Sequence, residues 1–448
     1  MKKLFGTDGI RGRANSYPIT PELALLVGKA TAKVLGGASG HKRVVLGKDT
    51  RISGYMLENA ITSGLLSMGM DVLAVGPMPT PAVAHLTKSM GAVCGIMITA
   101  SHNPACDNGI KIFAEDGFKL PDSVELEIEK EILGGKLAED GVPGEAIGKA
   151  YRIEDARGRY IEFAKGSIRN LSLRGLKLVL DCANGAAYSI APPIFRELGA
   201  EVIETAVKPN GLNINDGCGA LHPENMGELV RKYGADAGIA LDGDADRVIF
   251  CDAAGNEVNG DRIIGMLALS FQREKKLASD TVVVTSMSNL GLSRAMKQMG
   301  IRVEVTDVGD RYVIERMRAG GFNVGGEQSG HIIFMDYATT GDGIISALHV
   351  LKLMKESGKP LAELAGFMTV FPQELCSFAV ARKTPLDELS LLPAEIAACR
   401  AALGESGRTI VRYSGTENKI RILVEAEAEA DVKHWIDRLS AAARRELN

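Results

Sequence analysis

The densest chemistry in the chain is the run Asp242-Gly243-Asp244-Ala245-Asp246-Arg247, which follows the apolar stretch Gly238-Ile239-Ala240-Leu241. Carboxylates at alternate positions of an extended segment share one face. So close together they raise one another's pKa unless a cation intervenes. A hard divalent ion with oxygen ligands, Mg²⁺ above all, meets that need; a solvated acidic edge is the plainer alternative. An EF-hand is excluded, because its pattern requires Gly at the position of Arg247 and Glu at that of Ala253. A second polar run, Thr99-Ala100-Ser101-His102-Asn103-Pro104, offers a hydroxyl for phosphoryl or acyl chemistry. Serine is a weak nucleophile and needs a base or cations beside it, and His102 and Lys111 are near in sequence. Read alone, the same run is an ordinary turn. Gly325-Gly326-Glu327-Gln328-Ser329-Gly330-His331 sets hydroxyl-binding groups among glycines, and its plainer reading is a Gly-rich hairpin. Arg412-Tyr413-Ser414-Gly415-Thr416-Glu417-Asn418 supplies a guanidinium, hydroxyls and open amides suited to a phosphate, or else a tight turn. No GxxxxGK[ST] run for a nucleoside triphosphate is present.

These loops recur at equivalent places in a repeated pattern. Val44-Val45-Leu46, Leu178-Val179-Leu180 and Val282-Val283-Val284 each open a segment that continues as a helix stopping at Gly69, Gly199 or Gly300. A second β run then begins near Val72, Val202 or Val303. Such spacing reads as βαβ, hence a parallel sheet covered by helices. Each copy adds a strand that enters a polar loop and returns: Gly95–Ile98 to Ile110–Phe113, Gly238–Leu241 to Val248–Phe250, and Phe322–Val324 to His331–Phe334. Ligands in α/β sheets gather at the carboxyl ends of strands, so three such loops predict one site built from three related domains. Gly134 to Lys149 is expected to link the first copy to the second. From Pro372 the pattern changes to a strand, a helix over 386–403, strands near 409–412 and 420–425, and a closing helix in which Trp435, Val432, Ile436 and Leu439 pack a small core.

Composition narrows the possibilities. The 448 residues are 46% hydrophobic and 24% charged, a globular balance. With 52 basic and 56 acidic residues the net charge is −4, which argues against nucleic acid as a partner. No apolar run reaches the length of a membrane span, and the first eight residues lack a secretory core. Seven dispersed cysteines without a CxxC pair suit reduced thiols in a cytoplasmic protein.

Taken together, Gly6-Thr7-Asp8-Gly9-Ile10-Arg11-Gly12 and the four loops resemble the α-D-phosphohexomutase superfamily over essentially the whole chain. Gln328 and the Gly-Thr-Asp-Gly opening are similar to its bacterial glucosamine branch, whereas phosphomannomutase relatives commonly carry Met at the loop position. Asn418-Lys419 departs from the superfamily, many members of which have proline there. The resemblance implies three related mixed α/β domains plus a smaller C-terminal α+β domain around a central cleft, with boundaries at 1–155, 156–255, 256–370 and 371–448. It implies that Ser101 carries a phosphoryl group and that Ser101, Asp242, Asp244 and Asp246 hold one Mg²⁺. Arg11, His102, Lys111, Arg247 and His331 would line the reacting end. Glu327 and Ser329 would take sugar hydroxyls, and Arg412, Ser414, Gly415, Thr416 and Arg421 the distant phosphate. The implied reaction is reversible interconversion of glucosamine 6-phosphate and glucosamine 1-phosphate, with a 1,6-bisphosphate as intermediate and activator, feeding UDP-N-acetylglucosamine synthesis. The implied partner is a small sugar phosphate, with neither nucleic acid nor membrane, and the implied assembly is a homodimer.

That reaction explains the inventory. Phosphoserine and a substrate phosphate each carry up to about −2 charge. At ~5 Å and an effective dielectric of ~20 they repel by on the order of 13 kcal/mol. A divalent cation, Arg11, Arg247 and Lys111 would offset this, with Lys111 or His331 as the base. Retaining the bisphosphate requires water to be excluded, so closure of the last domain about a hinge near 368–374 is expected. Two other readings remain at this stage: a phosphatase in which Asp242 is the nucleophile, although Asp246 stands where that class wants Thr or Val, and a silent sugar-phosphate sensor.

Overall fold

The computed structural model describes residues 4–36, 42–414 and 418–447. They form two compact units, one of residues Met1–Met287 and Gly300–Phe367, the other of Ser288–Met299 and Met368–Asn448.

The larger unit contains three sheets of one design. In the first, Arg43–Lys48 lies between Asp71–Pro77 and Cys94–Ile98, parallel to both, and Cys94–Ile98 turns back antiparallel into Asp107–Ala114. Lys177–Asp181, Glu201–Thr205, Ala237–Leu241 and Val248–Asp252 repeat the arrangement. So do Thr281–Thr285, Arg302–Thr306, Val324–Gly326 and Ile332–Phe334. The triplication expected from the sequence is therefore present strand for strand. Two details differ. Gly325 and Gly326 belong to the third sheet rather than to its loop, because both pair with Val283 and Val284. The segment 134–149 does not simply leave the first sheet, since the next strand, Ala150–Arg152, pairs with Asp71–Pro77 as an edge. Ile10–Arg13 closes the opposite edge against Asp107–Ala114 and brings Arg11 level with Gly109.

Covered on both faces, the central strands are continuous apolar runs. Val44, Val45, Leu46, Val179, Leu180, Val283 and Val284 are fully buried. The buried polar residues follow directly: Asp49 and Arg51 after one strand, Ser101 after the next, and Asp242, Asp244 and Asp246 after the strand of the second copy. Charge is thus concentrated at the carboxyl ends, where the helix-covered layers stop.

In the smaller unit, Lys419–Ala426 pairs antiparallel with both Gln373–Ala379 and Gly407–Tyr413. Val432, Trp435, Ile436 and Leu439 of the helix Glu429–Leu447 are buried in its core. The helix expected over 386–403 is broken: a 3₁₀ turn spans Leu386–Glu388, and the α-helix runs from Leu391 to Leu403. The break is fixed by Glu446, which accepts backbone N–H groups from Ser390, Leu391 and Leu392 at 2.8–2.9 Å. Leu290–Gln298 also belongs here, with the Leu290 N–H donating to Glu425 Oε1 at 2.6 Å.

All seven cysteines are free thiols. Among the described residues no helix is long and apolar enough to cross a membrane.

Candidate active site

Three equivalent hairpin turns converge in the larger unit. Ser101, just past Cys94–Ile98, is 1% exposed and has φ +52°, the left-handed region unusual for a side-chain-bearing residue. Its Oγ donates to Asp242 Oδ2 at 2.7 Å and lies 3.4 Å from His102 Nδ1. One oxygen from each of Asp242, Asp244 and Asp246 falls within 4.8 Å of the others, and all three residues are buried. Burial, and then Asp244 and Asp246, push Asp242 well above the usual carboxylate range. Asp244 Oδ1 is buried without a hydrogen-bond partner. Oxygen-only donors, two of them (Asp244 Oδ1 and Asp246 Oδ1) without a hydrogen bond and a third residue, Asp242, whose charge is disfavoured by burial and by its neighbours, are what a hard divalent cation would satisfy. The residues present therefore fit such an ion.

The acids are opposed by buried cations. Lys111 Nζ lies 2.9 Å from Asp244, 3.2 Å from Asp246 and 3.1 Å from Asp8. Burial disfavours its charge, but those carboxylates more than offset this and hold its pKa well above the usual value. The same cation, with His331, keeps Asp246 ionised against the cost of its own burial. Arg11 contacts Asp8, and Arg247 sits beside Asp246. Both guanidiniums are held charged by these acids despite burial. Neither Nε makes a hydrogen bond, although that of Arg247 lies 4.0 Å from Asp246 Oδ1.

His331 is 2% exposed, with Nδ1 3.5 Å from Asp246 and Nε2 3.5 Å from Asp310. Burial lowers its pKa and the two acids raise it, with a net rise. The Gly341 N–H points at Nε2 from 3.0 Å, which opposes that rise and assigns the neutral ring's proton to Nδ1. A Cβ at Gly341 would lie 2.6 Å from the imidazole, so only glycine lets this segment seat the ring. His102, in contrast, is lowered to about 4 by burial and by Arg247 and Arg11, and is neutral at pH 7.

Glu327 is half-buried and Ser329 exposed, and the Ser329 hydroxyl lies 3.4 Å from Glu327 Oε2. Gln328 turns away and donates to Asp261 at 3.1 Å, holding the loop's centre. In the smaller unit Arg412 and Arg421 face one another across the antiparallel ladder. Like charges placed directly opposite one another are destabilising. Ser414 N–H donates to Lys419 O, and its carbonyl accepts from Lys383 at 2.7 Å. Gly415 and Thr416 lie outside the described residues.

Several participants escape the motif reading. Asp8 sits inside the Gly6–Gly12 motif, where its acid character was visible. Thr80, whose hydroxyl donates to Asp244 at 2.6 Å, and Lys119, which contacts Asp8 and Asp310, carry no local signal. Neither does Asn215, whose Nδ2 donates to the Ser101 carbonyl at 2.9 Å.

Models of one family match the chain in order. They are phosphoglucomutase/phosphomannomutase alpha/beta/alpha domain I over residues 2–139, domain II over 158–255, domain III over 259–371, and the C-terminal domain over 355–442. The chain belongs to the phosphoglucomutase/phosphomannomutase family. Its architecture is the four-domain α/β arrangement of that family. Among its relatives, the phosphoglucosamine mutase of Syntrophotalea carbinolica is 52% identical over 448 residues, covering 100% of this chain and 98% of its own. That of Geotalea daltonii is 53% identical over 436 residues, covering 97% and 96%. Of solved structures, a phosphoglucomutase/phosphomannomutase family protein from Burkholderia thailandensis superposes with TM-score 0.80 at 24% identity, covering 100% and 99%. The N-acetylphosphoglucosamine mutase of Aspergillus fumigatus, in complex with GlcNAc-6P and magnesium, gives 0.68 at 20% identity, covering 100% and 96%. At these identities the two structures speak for the fold.

Proposed function

We propose that the chain is a mutase that reversibly interconverts glucosamine 6-phosphate and glucosamine 1-phosphate, with Ser101 as the phosphoryl carrier. The observation that carries this reading is the 2.7 Å approach of Ser101 Oγ to a buried triad of aspartates flanked by Lys111, Arg11 and Arg247. Full-length identity of 50–53% to proteins named phosphoglucosamine mutase supports the substrate. In the first half reaction the free hydroxyl oxygen of the sugar attacks the phosphorus on Ser101, the P–Oγ bond breaks, and the hydroxyl proton passes to a base. The 1,6-bisphosphate reorients, and Ser101 Oγ attacks the other phosphorus, whose bond to the sugar oxygen breaks as that oxygen takes up the proton from the base. Asp242, Asp244, Asp246 and Ser101 would hold Mg²⁺, which when bound supplies positive charge to the transferring phosphoryl oxygens.

Of the two candidate bases, Lys111 is gripped by three carboxylates and keeps its proton, so its part is electrostatic. The base in this reading is His331, whose neutral ring carries its proton on Nδ1 beside Asp246 and leaves Nε2 as the acceptor. Arg247 and His102 line the reacting end, Glu327 and Ser329 take sugar hydroxyls, and Arg412, Ser414, Gly415, Thr416 and Arg421 hold the second phosphate. The reading includes domains at 1–155, 156–255, 256–370 and 371–448, a cytoplasmic homodimer, activation by the 1,6-bisphosphate, and supply of UDP-N-acetylglucosamine synthesis.

Intact mass of wild type and Ser101→Ala, beside a coupled mutase assay, tests the reading. A phosphate-sized increment confined to wild type, with activity lost in the variant, is expected. Comparison of kcat/KM for glucosamine and glucose 6-phosphates tests the substrate, and preference for glucose would overturn that part.

A further inference from the structure

The backbone at Ser101 is unusual before any phosphate arrives. Its left-handed φ of +52° is unfavourable for a non-glycine residue and persists only where surroundings impose it. Two buried side chains impose it here. Arg51, fully buried after the strand Arg43–Lys48, donates from Nη2 to the Ser101 carbonyl at 3.1 Å and also reaches the Asn103 carbonyl. Its guanidinium is oriented by Asp49, whose Oδ1 accepts the Arg51 N–H at 2.9 Å. Asn215, from the second copy of the fold, donates from Nδ2 to the same two carbonyls at 2.9 and 3.0 Å. Asn215 is anchored in turn, its N–H donating to Ala183 O at 2.9 Å. The acidic loop touches the same point: a Cβ on Gly243 would lie 2.6 Å from Ser101 O and 2.8 Å from Asn215 Nδ2. The Ser101 carbonyl is therefore where the serine loop, the acidic loop and two donors from separate sheets meet.

Resting on Ser101 as the phosphoryl carrier, we propose that Arg51 and Asn215 are positioning residues that lock the serine backbone in its left-handed form and thereby set the Oγ-to-aspartate geometry. Neither is placed at the substrate. Their action is on the orientation of one hydroxyl, so their loss lowers the rate of phosphoryl transfer rather than the affinity for sugar phosphate.

The experiment uses the full chain with Asn215→Ala, Asn215→Asp and Arg51→Lys. Each is read by kcat and KM for glucosamine 6-phosphate, by Tm, and by the ³¹P chemical shift of the phosphoserine. The expected result for Asn215→Ala is a 10- to 100-fold fall in kcat with KM within threefold and a displaced ³¹P resonance. Asn215→Asp, which aims an acceptor at two carbonyls, is expected to be worse. Arg51→Lys tests the second donor, and the Asn215 variants stand alone if it does not fold. A wild-type kcat and unmoved resonance in folded Asn215→Ala, or a fall in Tm alone, would overturn the inference. Ser101→Ala in parallel separates the two claims: if it remains active, the carrier assignment is what fails.

Discussion

The loop of Ser101 and the loop of Glu327, Gln328 and Ser329 occupy equivalent hairpin turns of related sheets, yet they are built in opposite ways. Around Ser101 the backbone is held by Arg51 and Asn215, the side chain is 1% exposed, and the hydroxyl has a defined acceptor. Around Glu327 and Ser329 the side chains are half-buried or exposed, and the loop is held through its middle residue, Gln328, and its backbone. In the proposed reading, one fold position serves rigid chemistry in one copy and adaptable recognition in another. A bisphosphate that must turn between half reactions needs both: a fixed reacting end, and contacts that can be remade in either orientation.

The largest effect should come from the rigid loop. Ser101→Ala is expected to reduce kcat by about 10⁴-fold or more, because the proposed reading assigns the phosphoryl group to Ser101 alone. Mutase activity at wild-type level in the variant would remove the distinction between the loops. Next, Asp244→Asn, or removal of divalent ions with a chelator, is expected to lower kcat by about 10²–10³-fold. Restoration by Mg²⁺ should occur for chelated wild type but not for the variant, and activity indifferent to chelation would argue against a cation among the acids. In the adaptable loop, Glu327→Gln is expected to raise KM about tenfold with kcat changed less, because a uniform binding contact is weakened. Steady-state kinetics distinguish this from a kcat effect, which would place Glu327 with the reacting groups instead.

How much of this was readable from the chain follows the range of the interactions. The three strand–helix–strand copies were visible because apolar runs and helix-stopping glycines are local signals. The acidic triad was visible because its members recur at every second residue directly after an apolar strand, although the chain turns there rather than staying extended, with the Ala245 N–H donating to Asp242 O at 3.0 Å and Ala245 at φ +56°. The partition of Gly325 and Gly326 into strand rather than loop was not, since it depends on pairing with Val283 and Val284, about forty residues away. The break before Leu391 likewise depends on Glu446 at the far end of the smaller unit. Asn215, Thr80 and Lys119 reach the site across sheets, where spacing in sequence says nothing. Lys111 and His331 are equal candidates on residue type, and the proposed reading tells them apart by contacts made across the fold, three carboxylates around Lys111 Nζ against the Gly341 N–H at His331 Nε2.

The smallest effect expected is on the support behind the rigid side. Asp342 caps the helix Gly343–Ser357, its Oδ1 accepting the Ile344 and Ile345 N–H groups, while both carboxylate oxygens accept from the Tyr160 hydroxyl at 2.8–2.9 Å. The helix start holds the acidic loop through the Gly343 N–H to Ala245 O bond of 3.0 Å. Burial raises the Asp342 pKa to about 6 despite these donors. A carboxyl whose folded pKa lies above its unfolded value favours folding most when protonated. Its contribution therefore weakens as pH rises from about 4 through about 6, by on the order of 2–3 kcal/mol. Asp342→Asn keeps an acceptor for the helix cap but cannot ionise. The Tm of this variant relative to wild type should become more favourable between pH 4 and pH 7, with kcat at pH 7 altered no more than a few-fold. A constant Tm difference across that range would show that Asp342 does not titrate there. A collapse of kcat at unchanged Tm would instead move this cap from the scaffold into the positioning of the acidic loop, and the contrast between rigid and adaptable loops would have to include the helix that backs them.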